Sequence, residues 1–185
     1  MQACARLRAW KRDAHARTTS MCFKESIIAE PLAVQIMHLI PRVASLYHRL
    51  VLVVAPSGAG KTVALREVAT QTGYRYLNVN LELSRCMLEL TRRQRQLQVS
   101  RLLQDILCIS HDQAVLLDNL ELLFDVSLKL DPLRCLQDLA RDKIIVAAWN
   151  GTITAGHLTY ATPDHPEYRR YALADLVVVC PDVGS

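Results

Sequence analysis

The chain has 185 residues, 51% of them hydrophobic, which is enough for one domain with a sizeable core and too little for several. Its formal charge of +4 sits at the start, where Arg6, Arg8, Lys11, Arg12 and Arg17 face Asp13 alone, so the body is balanced and is not a uniformly basic nucleic-acid binder. No stretch approaches the ~18 apolar residues that a bilayer span requires, the leader has no apolar block of signal-peptide length, and Cys4, Cys22, Cys86, Cys108, Cys135 and Cys180 form no CxxC pair. Membrane crossing by a helix, secretion, a disulfide frame and a cysteine zinc site are therefore not expected. The thiols read as reduced and mostly buried in a cytoplasmic protein.

Residues 1–20 read as a basic, disordered extension and residues 21–185 as the domain. Other readings of the leader stay open: an arm that touches nucleic acid or an anionic membrane, a transit-like segment, or an extension foreign to the native chain that ends before Met21. In "EPLAVQIMHLIPRVASLYHRL" the apolar residues recur at helical spacing. Pro31 suits a first turn, and Pro41 is expected to bend or stop the helix. A buried strand follows at about 50–55, then a glycine-rich turn and a helix at roughly 60–71 ended by Gly73. "YRYLNV" reads as a second strand. The Leu-, Arg- and Gln-rich stretch from about 82 to 109 reads as one helix, or as two broken near Val99 and Ser100. "AVLL" before Asp118 is a third strand, "PLRCLQDLARD" a helix, "KIIVAAW" before Asn150 a fourth strand and "LVVVC" a fifth. Residues 151–171 show no clear periodicity and are expected to be loop. Strands alternating with helices predict an α/β three-layer sandwich with a mainly parallel five-stranded sheet.

The chemistry concentrates at "APSGAGKT", residues 55–62, which meets the phosphate-loop pattern G-x-x-x-x-G-K-[ST] at every position but the first, where Ala55 stands for Gly. Strand before and helix after supply the required context. Ala55, Pro56, Ser57, Gly58, Ala59, Gly60, Lys61 and Thr62 would then cradle a phosphate chain. Gly58 and Gly60 let the backbone N–H groups turn inward, Lys61 reaches the β- and γ-phosphates, and the Thr62 hydroxyl holds Mg²⁺. Asp118, after four apolar residues, fits the Walker B acid that completes the metal site. Asn119 stands where many such ATPases carry Glu, so Glu121 becomes the candidate for polarising the attacking water, against a plain turn role. Asn150 at the next strand end fits a γ-phosphate sensor, against a turn Asn before Gly151. The cofactors expected are ATP and Mg²⁺.

Other clusters are less specific. Arg92, Arg93, Arg95 and Arg101 read as a solvated helix face, with a lid, an arginine finger for a neighbouring subunit, or DNA phosphate contacts as alternatives; Glu89 is placed to pair with Arg92. His157, Asp164 and His165 match no zinc spacing. Arg169 or Arg170 is placed to reach a nucleotide from the last loop.

The Walker B candidate lies far behind Lys61 with a polar-tipped strand after it, an order that resembles the additional-strand P-loop ATPases, AAA+ proteins among them. Together, "APSGAGKT", "YLNVNLELSR", "LLDNLELLF", "DPLRCLQDLAR", "AWNGT" and "HLTYATPDHPEYRRY" resemble the small P-loop protein family, BrxF, of type 3 BREX phage-defence cassettes, from about residue 25 to 180. The resemblance implies a bacterial cytoplasmic, AAA+-like core without the C-terminal helical lid, which acts with other BREX proteins against phage DNA replication. It carries over Gly58, Gly60, Lys61 and Thr62 as phosphate-loop residues and Asp118 as the Walker B acid, and leaves Glu121 and Asn150 to the reading above. The function expected is an ATP-binding, slowly hydrolysing module that works in an assembly, either a homo-oligomer or a complex with BREX partners, with DNA contact as an option. A non-catalytic nucleotide-dependent scaffold and a small-molecule kinase are the alternatives.

Overall fold

The computed structural model describes residues 30–109 and 112–181. The basic extension assigned to 1–20, the domain start at 21, Cys4 and Cys22 lie outside the described residues.

Helix α1 (Leu32–Val43) follows Pro31 and buries Ala33, Ile36, Ile40 and Val43, the i, i+3, i+4 stripe of an amphipathic helix. Pro41 lies in the last turn, two residues before the end, where its missing N–H leaves the Met37 carbonyl without a helical partner and the helix soon stops. Strand β1 (Leu50–Ala55) is buried at all six positions. Helix α2 (Lys61–Thr72) starts directly after the glycine-rich loop and ends at Gly73, whose φ of 75° is the left-handed turn that glycine allows without strain. Strand β2 (Arg75–Asn78), helix α3 (Val79–Met87) and helix α4 (Arg92–Cys108) come next. The break between α3 and α4 therefore falls at residues 88–91 and not near Val99 and Ser100. Thr91 and Gln94 close a reciprocal capping box that starts a new helix there, and Val99 is buried in mid-helix.

Strand β3 (Ala114–Asp118), helix α5 (Pro132–Leu139), strand β4 (Ile144–Asn150) and strand β8 (Val177–Val179) complete the main framework. Asp131 caps α5 and Pro132 fills its first turn. The sheet runs β2-β3-β4-β1-β8, and every neighbour pair is parallel. The five-stranded parallel sheet is covered on one face by α1 and α2 and on the other by α3, α4 and α5, so both faces are dry and the strands are near-continuous Val, Leu and Ile. It is a three-layer α/β sandwich, with β4 inserted between the strand of the glycine-rich loop and the strand of Asp118.

One expectation fails here. Residues 153–172 form a second, antiparallel sheet in the order β5-β6-β7, with β5 at Ile153–Thr154, β6 at His157–Tyr160 and β7 at Arg169–Ala172. Strands this short fall below the window in which periodicity can be recognised. An aromatic cluster fastens this sheet to the main one: Trp149, fully buried, donates its indole N–H to Thr159 O at 2.9 Å, Phe124 meets it edge-on at 5.0 Å and stacks on Tyr160, and Tyr171 meets it edge-on at 5.9 Å. The thiols also depart from expectation: of the four described, Cys135 is buried, and Cys86, Cys108 and Cys180 are exposed.

The join between the sheets has no spare room at Gly151, where a Cβ would lie 1.8 Å from Thr159 O. Gly151→Ala must push the second sheet away from β4, and overpacking against backbone costs about 1–3 kcal/mol or more. Urea denaturation of this variant is expected to show a midpoint lowered accordingly, with an unchanged slope.

Candidate functional site

The site lies along the carboxyl edge of the parallel sheet, where strand ends and loop starts converge. Ala55 and Asn150 are register partners at the tips of β1 and β4, and Asn78 and Asp118 are partners at the tips of β2 and β3. The β3–β4 register runs Leu117 against Ala147, so the Asn78 and Asp118 tips end two residues short of the Ala55 and Asn150 tips, and the four present a polar group or the loop itself in two steps along one edge.

The glycine-rich loop is open. Gly58 and Gly60 have φ of 79° and 81°, and a Cβ on either would meet nothing within 4 Å, so the left-handed backbone and not crowding requires glycine there. Gly60 precedes α2 and no side chain caps the helix, which leaves the positive end of α2 available to an anion. Lys61 is only 6% exposed. Its ammonium donates to Ala55 O at 2.7 Å and to Pro56 O at 2.6 Å, so the lysine is folded onto the carbonyls of its own loop. Burial lowers its pKa, and the negative charges of Asp118 and then Glu121 act in the opposite direction. That coupling brings Lys61, Asp118 and Glu121 into one electrostatic neighbourhood.

Asp118 is 3% exposed. Its Oδ1 accepts from Asn119 N at 3.0 Å and its Oδ2 from the Tyr76 hydroxyl at 2.7 Å. Asn119 occupies the left-handed region at φ 54°, which Asn tolerates and which turns the chain sharply away from β3. That turn delivers Glu121, at the head of a 3₁₀ turn Glu121–Phe124, back over the sheet edge. Glu121 Oε2 accepts from Asn80 Nδ2 at 2.7 Å and Oε1 accepts from Asn150 Nδ2. Glu121 is thus more than turn decoration: it bridges β4 to the start of α3. Burial, together with Glu167 and then Glu121, pushes the Tyr160 phenol up to about 12.

Two residues at this edge escape the sequence reading. Asn80 donates to Glu121, accepts from Leu122 N at 2.8 Å through Oδ1, and donates its backbone N–H to Asn119 O at 3.0 Å; its signal is a polar residue just past the tip of the strand beside Asp118. Tyr76 reads as an ordinary strand aromatic. Beside the loop lies a cleft of ≈ 370 Å³ whose walls include Pro56, Ser57, Asn150, Tyr160, His165 and Glu167.

Other candidates lie elsewhere or are otherwise engaged. Glu89 precedes α4 and so is not on one helical face with Arg92, and Arg95 donates instead to Leu90 O at 2.9 Å. Arg169 and Arg170 are on β7 and not in a loop; Arg169 donates to Tyr168 O at 2.9 Å, and Arg170 lies 3.2 Å from His157 Nδ1. His165 Nδ1 accepts Glu167 N at 3.2 Å. Among the described residues no three of His, Cys, Asp and Glu cluster at metal-binding distance, and no helix is long and apolar enough to cross a membrane.

No protein-family model matches the chain, and no curated protein matches it. Among solved structures it is similar to that of C. elegans PCH-2, at 17% identity and a TM-score of 0.41, over 80% of this chain and 42% of that one. The chain spans less than half the length of that structure.

The Asn80 node supports a stability measurement. Asn80→Ala strands Leu122 N and removes one donor from Glu121, a loss of about 1–3 kcal/mol. Asn80→Asp is expected to cost more at neutral pH, because it keeps the acceptor for Leu122 N but sets a second carboxylate against Glu121 in place of an amide donor. Denaturant midpoints at pH 7 check both.

Proposed function

We propose that the chain is a nucleotide-binding module that takes Mg-ATP in the 55–62 loop and hydrolyses it slowly. One observation carries this reading: a buried ammonium, a buried carboxylate and an uncapped helix start meet beneath an open glycine loop. Burying charges this way is costly unless something compensates them, and a triphosphate with its divalent cation fits both signs at once.

The donor set suits the metal. Thr62 and Asp118 offer oxygen ligands, and Mg²⁺ binds through one or two such groups plus phosphate oxygens and water; when bound it would neutralise charge on those phosphate oxygens. Lys61 would exchange the Ala55 and Pro56 carbonyls for phosphate oxygens, trading neutral acceptors for anionic ones. Asn150 would contact the terminal phosphate or the attacking water. Glu121 would act as the base, yet both of its oxygens already accept from amide N–H groups, so neither is free to meet a water molecule until one of those bonds is given up. Slow turnover follows, until a partner or the nucleotide draws Asn150 or Asn80 away. The same double engagement favours a second reading, in which bound nucleotide sets an interaction surface without hydrolysis.

In the setting that the sequence resemblance supplies, the module belongs to a bacterial BREX phage-defence system, works in the cytoplasm, and assembles with other BREX proteins, with copies of itself, or on DNA. The genes flanking its own test that setting: a DNA methyltransferase and an alkaline-phosphatase-like gene support it, and a kinase operon argues against it.

For the site, titration calorimetry with Mg-ATP is expected to show affinity reduced about 10- to 100-fold in Lys61→Ala, the worth of a charge-assisted hydrogen bond or two; equal affinity would defeat the proposal. Glu121→Gln is expected to keep the affinity and lose phosphate release. No phosphate release by the wild type, alone or with BREX partners and DNA, selects the switch reading.

A further inference from the structure

Asp118 receives its two hydrogen bonds from different kinds of donor. Asn119 N reaches Oδ1 across one residue, while the Tyr76 hydroxyl reaches Oδ2 from a strand 42 positions away in sequence. Each carboxylate oxygen accepts two bonds, so each keeps one position for a further ligand. Tyr76 can do this because it lies two residues before Asn78, the register partner of Asp118, and alternate residues of a strand share a face. That face is the one beneath α2, where Tyr76 packs against the cluster that holds Ala64, Leu65 and Val68.

A cation also bears on the Tyr76 hydroxyl that Asp118 accepts from, the Arg66 guanidinium. The Arg66 guanidinium lies 5.4 Å from the ring centroid. Arg66 follows Thr62 by four residues on α2, so it shares the helix stripe of the proposed metal ligand, and among the described residues it makes no ion pair. A guanidinium is the preferred partner of a carboxylate and binds it through two parallel hydrogen bonds. Arg66 laid directly on Asp118 would occupy the free oxygen positions and bring a positive charge to where a divalent cation must sit. The tyrosine hydroxyl prevents this: it stands between the guanidinium and the carboxylate and gives Asp118 a neutral donor in place of a charged one, while the ring face helps to hold the cation where it is.

We propose that Tyr76 is a positioning residue that keeps Arg66 off Asp118 and orients that carboxylate for Mg²⁺. This rests on the nucleotide reading of the 55–62 loop. The test is a titration of MgCl₂ into the full chain at fixed concentration of a fluorescent ATP analogue, read as the Mg²⁺ midpoint, with the analogue's affinity in EDTA and a thermal melt measured alongside. Tyr76→Phe is expected to melt cooperatively, to keep its EDTA affinity, and to raise the midpoint roughly 10- to 100-fold, the range for loss of an outer-shell partner of a metal ligand. Adding Arg66→Gln to Tyr76→Phe is expected to return most of that loss, a recovery that a merely structural tyrosine would not give. Arg66→Gln alone, which changes an exposed side chain, is expected to leave the midpoint unchanged or lower it. If wild type responds to Mg²⁺ and Tyr76→Phe shares its midpoint, or the double variant recovers nothing, the positioning role falls while the nucleotide reading stands. If Tyr76→Phe melts early, a raised midpoint in Arg66→Gln overturns the role on its own. If wild type binds the analogue with no response to Mg²⁺, the metal reading fails and the positioning role with it.

Discussion

A lysine ammonium and an aspartate carboxylate, both nearly inaccessible to water, sit at the carboxyl edge of one parallel sheet, and the rest of the site is arranged around holding them. Neither charge can stay there without partners, because removing an ion from water costs several kcal/mol even after the protein relaxes. The chain answers locally. Lys61 turns onto two carbonyls of its own loop, and Asp118 is met by a backbone amide and a phenol. The compensation is neutral on both sides, so the two charges remain available to something that carries charges of its own.

The sheet order makes this geometry possible. With β4 between β1 and β3, the tip that carries Asn150 stands between the lysine loop and the aspartate strand, and its amide reaches Glu121. Glu121 in turn is tied to Asn80 on the far side of Asp118. A row of polar side chains thus runs from the tip of β4 to the start of α3, Asn150 to Glu121 to Asn80, and each member is fixed by the next. Such a row is stiff while complete and changes as a unit once one member finds a better partner.

Much of this was legible in the sequence because a buried parallel strand is an uninterrupted apolar run whose first polar residue marks the sheet edge. Asp118 and Asn150 were found by that rule, and the loop at 55–62 by its glycines and lysine. The parts that were not legible share a cause, which is distance along the chain. Asn80 and Tyr76 acquire their roles from partners 41 and 42 positions away, and nothing in "YRYLNV" announces them. The break between α3 and α4 contains neither Gly nor Pro, and its capping box shows only once the helix start is known. The antiparallel sheet was missed because its strands run two to four residues, too few for the in-and-out alternation of His157–Tyr160 to stand out, and they are anchored by Trp149, Phe124 and Tyr171.

That aromatic anchorage has a mechanical side. Trp149 is the residue before Asn150, and its indole is bonded to the same Thr159 carbonyl against which Gly151 is pressed. The second sheet is therefore geared to the tip of β4 with almost no backlash. A protein or ligand that tilts residues 161–168 would turn Trp149 and Gly151 together, and the residue between them would swing with the pair. Traffic along this linkage runs both ways, so a change at Asn150 would be broadcast to residues 161–168, some of which wall the cleft beside the glycine-rich loop.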